Sequence, residues 1–357
     1  MSTRQLAANL SVLLVSGVLS LLGLEASYRL YLFGWDALSV AKVNSVHNMG
    51  LSGLIQPSPY AEMIYEFRPN LESHFKLVPL NTNSQGLRDN EYSIAKPDRT
   101  FRVAVIGDSF TIPAGVRIEE AYHTRLETRL NRERSDVSYE FINFGLGGYS
   151  LRQYLGVLKH KAMSYDPDLI LIGFCAANDH EIPSEKKFHR PYRVKPKTHP
   201  FFTHSFALEQ FVKQLSRYFE AREKARTKAE KRKSGKGKDK KKNRTKAAYS
   251  KEEVRYMSNI FWQITAIGRE NDIPIVVVFL SHRHGEKRSR RAAELREIVR
   301  AHGLLFVDTT PAFEGTDFDD YTIYAIDKHP NGKANQVFAD RVYAYLCERK
   351  LLEPRQP

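Results

Sequence analysis

Four short segments of this chain carry residue types that could do chemistry together. The first, Gly107-Asp108-Ser109, follows an apolar run of β-branched and small residues, which is typical of a buried strand that ends in a turn. Such an ending would place one serine at the carboxyl edge of a sheet, where open α/β proteins keep their sites. A serine hydroxyl alone is a weak nucleophile, so it needs a base and hydrogen-bond donors for an oxyanion.

The other three segments supply those groups. Asp327-Lys328-His329-Pro330-Asn331 offers an imidazole and an acid, while Asn143-Phe144-Gly145-Leu146-Gly147-Gly148 and Asn178-Asp179 offer backbone and amide donors. Glycine lets a backbone N–H approach a substrate closely, and an amide side chain donates without titrating. Each segment alone is also typical of a turn or a helix cap. Their order, at the ends of successive predicted elements, favours a nucleophilic serine site.

Other chemistries do not fit the spacing. A nucleophile elbow of the α/β-hydrolase type would need glycine where Thr111 stands. The glycines between 145 and 148 lack the full dinucleotide fingerprint. We therefore expect no cofactor. We also expect no metal ion, because the available histidines and acids do not have the spacing of a zinc site. We interpret them as solvated loop residues; they are His180, His282, His284 and Asp179.

Strand and helix patterns alternate along the main part of the chain. Strands are expected near Phe101–Ile106, Tyr139–Asn143, Leu169–Phe174, Ile275–Leu280 and Leu304–Val307. Helices are expected near Glu119–Asn131, Leu151–Ser164, Lys251–Glu270, Lys287–His302 and Lys333–Glu348. This alternation predicts an α/β protein in which a central parallel sheet lies between two helical layers, a three-layer α/β/α architecture.

The N-terminal region contains an uncharged apolar run from Leu6 to Leu24. As a helix it would be roughly 28 Å long, close to the thickness of the hydrocarbon core of a bilayer. Arg4 precedes it, which favours a cytoplasmic N-terminus at residues 1–5 and an exported body. We predict a retained transmembrane anchor at 6–24. A cleaved signal peptide stays open, although Leu24-Glu25-Ala26 fits the cleavage rule poorly.

Behind the anchor the sequence predicts two regions. Residues 25–95 form a pre-domain segment of short strands and loops packed on the main domain. The main domain, 96–357, contains an insertion at 182–250 that interrupts the strand–helix alternation. Within it, residues 221–248 are rich in lysine, and we predict a disordered loop because too little apolar surface is available to offset the entropy of ordering.

The net charge of +14 is concentrated in one segment. Residues 222–246 hold fourteen Lys and Arg against three acids, so the rest of the chain carries only about +3 and nucleic-acid binding by the whole fold is not expected. The segment could bind anionic lipid or polysaccharide, or serve as a solvated spacer. Cys175 and Cys347 are expected to be two separate buried thiols, and a single bridge between them in an oxidising compartment stays open.

In this order the four segments resemble the SGNH (GDSL-like) hydrolase family, over roughly residues 95–350. With the anchor and the run at 83–89, the chain is similar to its membrane-anchored, extracytoplasmic members. The resemblance implies a flavodoxin-like SGNH hydrolase fold, with Ser109 as nucleophile, His329 as base and Asp327 as the acid that orients the imidazole. It also implies an oxyanion hole from the N–H groups of Ser109 and Gly148 and the side chain of Asn178. Residues with structural roles near the site would be Gly107, Asp108, Asn143, Gly145 and Asp179.

Two positions depart from the family pattern. Family members commonly place the acid three residues before the histidine, where Ile326 stands, so the choice of Asp327 leaves Asp319 and Asp320 as alternatives. Ala176 replaces the glycine that usually precedes the third segment.

The resemblance implies a membrane-anchored serine esterase on the periplasmic side. Its substrate would be an acyl ester, such as an O-acetyl group, on a carbohydrate or cell-envelope glycan. One alternative is an O-acyltransferase with the same Ser-His-Asp site, in which a sugar hydroxyl rather than water resolves the acyl-enzyme. The other is a non-catalytic anchored protein that binds anionic envelope polymers through its Lys-rich loop.

Overall fold

The structure is a computed structural model that describes residues 2–47, 53–182, 205–212, 214–216, 218–219, 222 and 247–353. The chain divides into two compact units, one of Met1–Asn44 with Thr198–Lys246 and one of Ser45–Lys197 with Ala247–Pro357. Most of the predicted insertion, 182–250, and almost all of its Lys-rich part, 221–248, lie outside the described residues.

The first unit is built on one long helix. Helix α1 spans Thr3–Phe33, a 3₁₀ turn follows at Gly34–Leu38, and helix α2, Val40–His47, begins in this unit and ends in the second. Over Thr3–Leu38 an 18-residue window has a mean hydropathy of 2.0 and none of it is buried, so α1 is long and apolar enough to cross a membrane. Residues 25–33 continue this helix, rather than beginning the loops that the sequence predicts after Leu24.

Two antiparallel hairpins open the second unit. Strand β1, Ile55–Pro57, pairs with β2, Tyr65–Phe67, and strand β3, Glu72–Phe75, pairs with β4, Val78–Asn81. The short strands predicted in this part of the chain are thus present.

The central sheet of the second unit has five parallel strands. They are β5, Thr100–Gly107; β6, Ser138–Asn143; β7, Leu169–Cys175; β8, Ile275–Leu280; and β9, Leu305–Asp308. Their order across the sheet is β6-β5-β7-β8-β9, with the first strand between the second and third, as in flavodoxin-like folds. The predicted fold class is confirmed.

Helices cover both faces of this sheet. They are α3, Tyr122–Glu133; α4, Leu151–His160; α5, Lys251–Glu270; and α6, Glu286–Ala301. A last hairpin, β10 at Thr322–Tyr324 with β11 at Asp327–Pro330, precedes α7, Gly332–Glu348. Helices α3 and α7 pack on one face and α4, α5 and α6 on the other.

Strand β5 illustrates why the sequence forms a doubly covered sheet. Val103 and Val105 belong to the core beneath α3 and α7, whereas Ala104 and Ile106 belong to the opposite core. All four are buried. A strand with apolar neighbours on both faces needs a continuous apolar run rather than an alternating one, which is the pattern seen before Gly107.

The two cysteines are free thiols in different surroundings. Cys175 is buried at the end of β7, whereas Cys347 is exposed on α7. The prediction that both are buried is therefore wrong for Cys347, because the last turn of α7 turns this side chain to solvent.

Candidate active site

Ser109 lies in the turn that follows strand β5. The Asp108 carboxylate accepts the N–H of Phe110 at 2.9 Å, and the Asp108 carbonyl oxygen accepts those of Thr111 and Ile112, each at 3.1 Å. These bonds tighten the chain just after the strand. As a result Ser109 is presented at the carboxyl end of β5, between its neighbours β6 and β7 in the sheet.

The space behind this turn is filled by Thr111. Gly107 and Gly173 lie side by side in the parallel strands β5 and β7, and a Cβ at either position would come within 2.4 Å of the Thr111 hydroxyl oxygen. Thr111 is fully buried, and its hydroxyl lies 3.3 Å from that of Tyr122 on α3. The two glycines are therefore needed so that the turn can sit close against the strand ends.

His329 and Asp327 reach Ser109 from strand β11. The His329 Nε2 atom is 2.9 Å from the Ser109 Oγ, and His329 Nδ1 is 2.6 Å from Asp327 Oδ1. When Nδ1–H donates to the carboxylate, Nε2 is free to accept the serine proton. The structure thus brings together three side chains of a Ser-His-Asp arrangement.

The unusual spacing of the acid and the histidine follows from the strand that carries them. Residues two apart on a strand point to the same face, so Asp327 and His329 face Ser109 together. Asp327 also accepts the His329 backbone N–H at 3.1 Å, which fixes its carboxylate. The alternative acids Asp319 and Asp320 are exposed, and Asp319 is paired with Lys328.

A lysine that the sequence analysis did not single out touches both members of this pair. The Nζ atom of Lys76 is 2.7 Å from Asp327 Oδ2 and 3.0 Å from His329 Nδ1. Lys76 and Leu77 form the turn of the β3–β4 hairpin, both with positive φ, and the Tyr324 hydroxyl donates to the Lys76 carbonyl oxygen. Only 4% of the Lys76 side chain and 4% of the Asp327 side chain are exposed.

This buried contact sets the charge of both groups. Burial lowers the pKa of Lys76, and the nearby carboxylate of Asp327 opposes that shift. Burial would raise the pKa of Asp327, but the hydrogen bond from His329 and the Lys76 ammonium together hold it below its usual range. Asp327 is therefore ionised throughout the neutral range.

The segments that contain Asn178 and His329 lie around a cavity of about 490 Å³ next to Ser109. Ser109, Asn178, Asp327 and His329 all line it, so the amide of Asn178 shares one space with the serine and the histidine. Gly148 does not line this cavity. It lies in an exposed turn with φ +82, next to Gly147, whose carbonyl oxygen accepts the Tyr65 hydroxyl at 3.1 Å.

Asp179 supports the loop that carries Asn178. It is fully buried, and its Oδ2 atom accepts the Tyr154 hydroxyl at 2.7 Å and the Cys175 N–H at 2.6 Å. Burial raises the pKa of Asp179 well above its ordinary value. The carboxyl thus joins α4 to the end of β7, directly beside the cavity.

Asn143 and Gly145 also have structural roles, at the carboxyl end of β6. The Asn143 side-chain oxygen accepts the Gly145 N–H at 2.9 Å, and the Asn143 backbone N–H donates to Asp89 at 2.7 Å. Asp89 ends the polar run at 83–89, so this run fastens to the edge of the sheet.

Arg88, in the same run, connects the β3–β4 hairpin with the chain that follows Ser109. Its buried guanidinium donates to the carbonyl oxygens of Pro79, Ile112, Pro113 and Val116. Since the same hairpin carries Lys76, Arg88 fixes the position of that lysine relative to the turn that carries Ser109. A charged residue inside an apolar run, as at Lys76 between Phe75 and Leu77, is the sequence signal that could have identified the lysine, whereas Arg88 stands in a polar run and carries no such signal.

The interpretation of the four candidate metal ligands as solvated loop residues is wrong for Asp179, His180 and His282, which are buried, and only His284 is exposed. The ring of His282 stacks on Phe318, and its Nε2–H donates to the carbonyl oxygen of Lys328 at 3.0 Å. Burial lowers the pKa of His282 to about 3, so the ring is neutral. It therefore braces the strand that carries Asp327 and His329.

The rim of the cavity is polar and carries positive charge. Arg283 lies over the Phe318 ring at 4.0 Å from its centroid, and Arg288 donates to the carbonyl oxygen of Ala176. Asp327 is the one carboxylate among the described residues that line the cavity, and it is paired with Lys76.

Comparison with known proteins gives one family and several solved structures. The sequence profile of the GDSL-like lipase/acylhydrolase family matches residues 105–337, a range that includes all four segments. No curated protein sequence matches the chain.

Among solved structures, the chain is similar to a two-domain esterase active on acetylated mannans, with a TM-score of 0.44 and 13% identity over 72% of this chain and 52% of that one. It is also similar to an acetyl xylan esterase from Geobacillus stearothermophilus, with a TM-score of 0.42 and 13% identity over 72% and 97% of the two chains. A third structure, TesA, gives a TM-score of 0.42 and 12% identity over 70% and 99%. The chain spans about half the length of the two-domain esterase.

Proposed function

Because this chain belongs to the GDSL-like lipase/acylhydrolase family, we propose that it hydrolyses acyl esters through an acyl-enzyme on Ser109. The family match confirms the resemblance of the four segments and makes the protein a serine esterase of the SGNH type. One observation carries the assignment of residues: the Ser109 Oγ lies 2.9 Å from the His329 Nε2, whose ring is held by Asp327.

In this mechanism His329 takes the proton of Ser109 as the serine oxygen attacks the ester carbonyl. The negative oxygen of the tetrahedral intermediate would be stabilised by the Ser109 N–H, the Gly148 N–H and the Asn178 amide. Collapse breaks the ester C–O bond, and His329 gives its proton to the departing alcohol. Water then attacks the acyl-enzyme, His329 takes the water proton, and the carboxylic acid leaves as Ser109 regains its proton.

Asp327 would hold the Nδ1–H tautomer of His329 and stabilise the imidazolium that forms in each step. The ammonium of Lys76, in contact with Asp327, would keep the carboxylate ionised and fixed in place. Lys76 is thus a positioning residue that acts through the Asp–His pair.

We propose that the substrate is a short acyl group, such as acetyl, on a carbohydrate. The support is the limited volume of the cavity, about 490 Å³, and the positive charge that Arg283, Arg288 and Lys328 give to its lining. A long acyl chain needs an extended apolar channel, whereas the sugar part of an ester is bound by polar side chains next to an aromatic ring. Phe110 and Asn178 offer such a pair beside Ser109.

We also propose that α1 is a retained membrane anchor and that the catalytic unit is extracytoplasmic. The length and apolar composition of α1 and the basic residue Arg4 ahead of its apolar run support this orientation.

The experiment that tests the proposed function uses full-length protein in detergent. A fluorophosphonate probe should label Ser109, identified by peptide mapping, and Ser109→Ala should abolish both labelling and acetate release from acetylated sugars. Ser281→Ala is the matched control, because Ser281 lines the same cavity but its hydroxyl donates to the carbonyl oxygen of Arg283. Labelling that persists in Ser109→Ala would refute the assignment. Acetyl groups transferred to an added glycan, instead of released as acetate, would identify an acyltransferase.

A further inference from the structure

A second helix accompanies α1 in the first unit. The described residues from 206 to 222 are helical, and six large apolar side chains among them are exposed to solvent. Their exposed fractions range from 43% to 63%, and their spacing of three and four residues places them along one face of the helix. These residues are Leu208, Phe211, Val212, Leu215, Tyr218 and Phe219.

The start of this helix is fixed to α1 by one carboxylate. Glu25 accepts the Ser205 hydroxyl at 2.7 Å, the Phe206 N–H at 3.0 Å and the Ala207 N–H at 3.1 Å. The Nε–H of Arg29 donates to the same carboxylate at 2.6 Å. A carboxylate that satisfies the first N–H groups of a helix stabilises both the helix end and its position.

Glu25 also marks where the apolar part of α1 ends. It is the first charged residue after the apolar run Leu6–Leu24, and a charge is costly within the hydrocarbon region of a bilayer. The second helix therefore begins where the candidate span ends. Leu208 and Phe211 share with Leu21 and Leu22 of α1 the lining of an apolar groove of about 620 Å³, so the apolar surfaces of the two helices are continuous.

We propose that the described helical residues between 206 and 219 belong to an interfacial helix, which lies in the headgroup layer of the membrane that α1 crosses, with the six apolar side chains directed into the lipid. The proposal rests on the membrane anchor of the proposed function. An exposed apolar stripe of this size is unfavourable in water, and it is the pattern by which a helix binds the plane of a membrane surface. The positive segment at 222–246 follows the helix directly in the sequence, which suits a surface of anionic lipid.

Site-directed spin labels measure this arrangement in the full-length protein. Exposed Cys347 is first replaced by Ser, and single cysteines are then introduced at Phe211 or Leu215 on the apolar face. Gln210 and Gln214 provide matched controls, because each neighbours a test position in the sequence and lies outside the apolar stripe, about 100–140° from its centre around the helix. Each labelled protein is placed in vesicles of three parts phosphatidylethanolamine and one part phosphatidylglycerol.

Accessibility to oxygen and to a water-soluble nickel chelate then gives the depth of each label. We expect labels at 211 and 215 to favour oxygen over the chelate, at a depth of about 5–10 Å, and labels at 210 and 214 to favour the chelate. Equal access of the chelate to all four positions would overturn the proposal. So would labels at 211 and 215 that neither reagent reaches, since protein would then cover the stripe. Magnetic broadening between labels of different molecules would show instead that a second copy covers it.

A label at Leu13, in the middle of the apolar run of α1, separates this inference from the anchor. If Leu13 lies deep in the bilayer while 211 and 215 stay aqueous, the interfacial helix is refuted and the anchor stands. If Leu13 is itself reached by the chelate, the anchor fails and the interfacial helix fails with it.

Discussion

Replacement of Asp327 by Asn tests the buried contact among Lys76, Asp327 and His329 in two independent measurements. The neutral amide does not stabilise an imidazolium as a carboxylate does, and its NH₂ group can donate to Nδ1 and favour the wrong tautomer, so turnover should fall by about 10⁴-fold. The substitution also leaves the Lys76 ammonium without its counter-charge, although only 4% of the Lys76 side chain is exposed to solvent. An isolated buried charge of this kind costs about 3–5 kcal/mol in unfolding free energy.

The double variant Lys76→Met with Asp327→Asn separates the two effects. It removes both charges and leaves groups of similar volume, so the unfolding free energy should return to within about 1–2 kcal/mol of the original protein. Turnover should stay low, because the acid is still missing. Stability is measured by pulse proteolysis in urea on the full-length protein in detergent, and turnover by acetate release. The exposed pair Lys328–Asp319 is the control, since Asp319→Asn should change the unfolding free energy by less than about 1 kcal/mol.

The pH dependence of this stability loss has a defined sign. The folded-state pKa of Lys76 is lowered by burial, and loss of the Asp327 carboxylate removes what opposes that shift. Between the folded and unfolded pKa values the unfolded chain binds more protons, so the stability of Asp327→Asn should rise with pH from neutral toward 10. The folded pKa of Asp327 is depressed, so its contribution in the original protein is present above about pH 4 and lost as the pH falls through the folded value. A single variant as stable as the original at pH 7, or a double variant less stable than the single one, would refute the reasoning.

Further perturbations test the rest of the site. Asn178→Ala should lower turnover by about 10²–10³-fold while fluorophosphonate binding to Ser109 persists, and unchanged turnover would remove Asn178 from the oxyanion hole. Gly148→Ala should lower both turnover and stability, because φ is +82 there and a Cβ would lie 3.0 Å from the Tyr65 hydroxyl; urea unfolding and acetate release report the two effects. Arg88→Met leaves four carbonyl oxygens without their donor and should lower the unfolding free energy by more than about 3 kcal/mol in the same urea assay.

Much of the second unit could be predicted because its signals are local. The apolar run ahead of Gly107 and the amphipathic patterns of α5 and α7 each lie within one element, and the structure places them within about a turn of the predicted bounds. The carboxyl ends of parallel strands meet at one edge, which is why Ser109 and Asn178 could be predicted to lie near each other. His329 was predicted to join them through the family resemblance, since no local pattern relates residues so far apart.

Lys76 could not be predicted in this way, because nothing local shows where a hairpin turn points. It is 253 positions from His329 in the sequence, and the contact arises from the pairing of β3 with β4 and the packing of that hairpin. The length of α1 was missed for a different reason. Glu25 and Arg29 look like the end of an apolar helix, but they form an i,i+4 pair that allows the helix to continue to Phe33.

The separation of Ser109 and His329 by 220 positions has a consequence for biosynthesis. The ribosome synthesises the turn that carries Ser109 long before it adds His329. Any nascent chain that contains this turn but ends before the β10–β11 hairpin therefore has the hydroxyl without its base. Such a chain could not cleave esters in the compartment where it is made. Competence would arise only at the end of synthesis, once the late hairpin has folded back onto the early one.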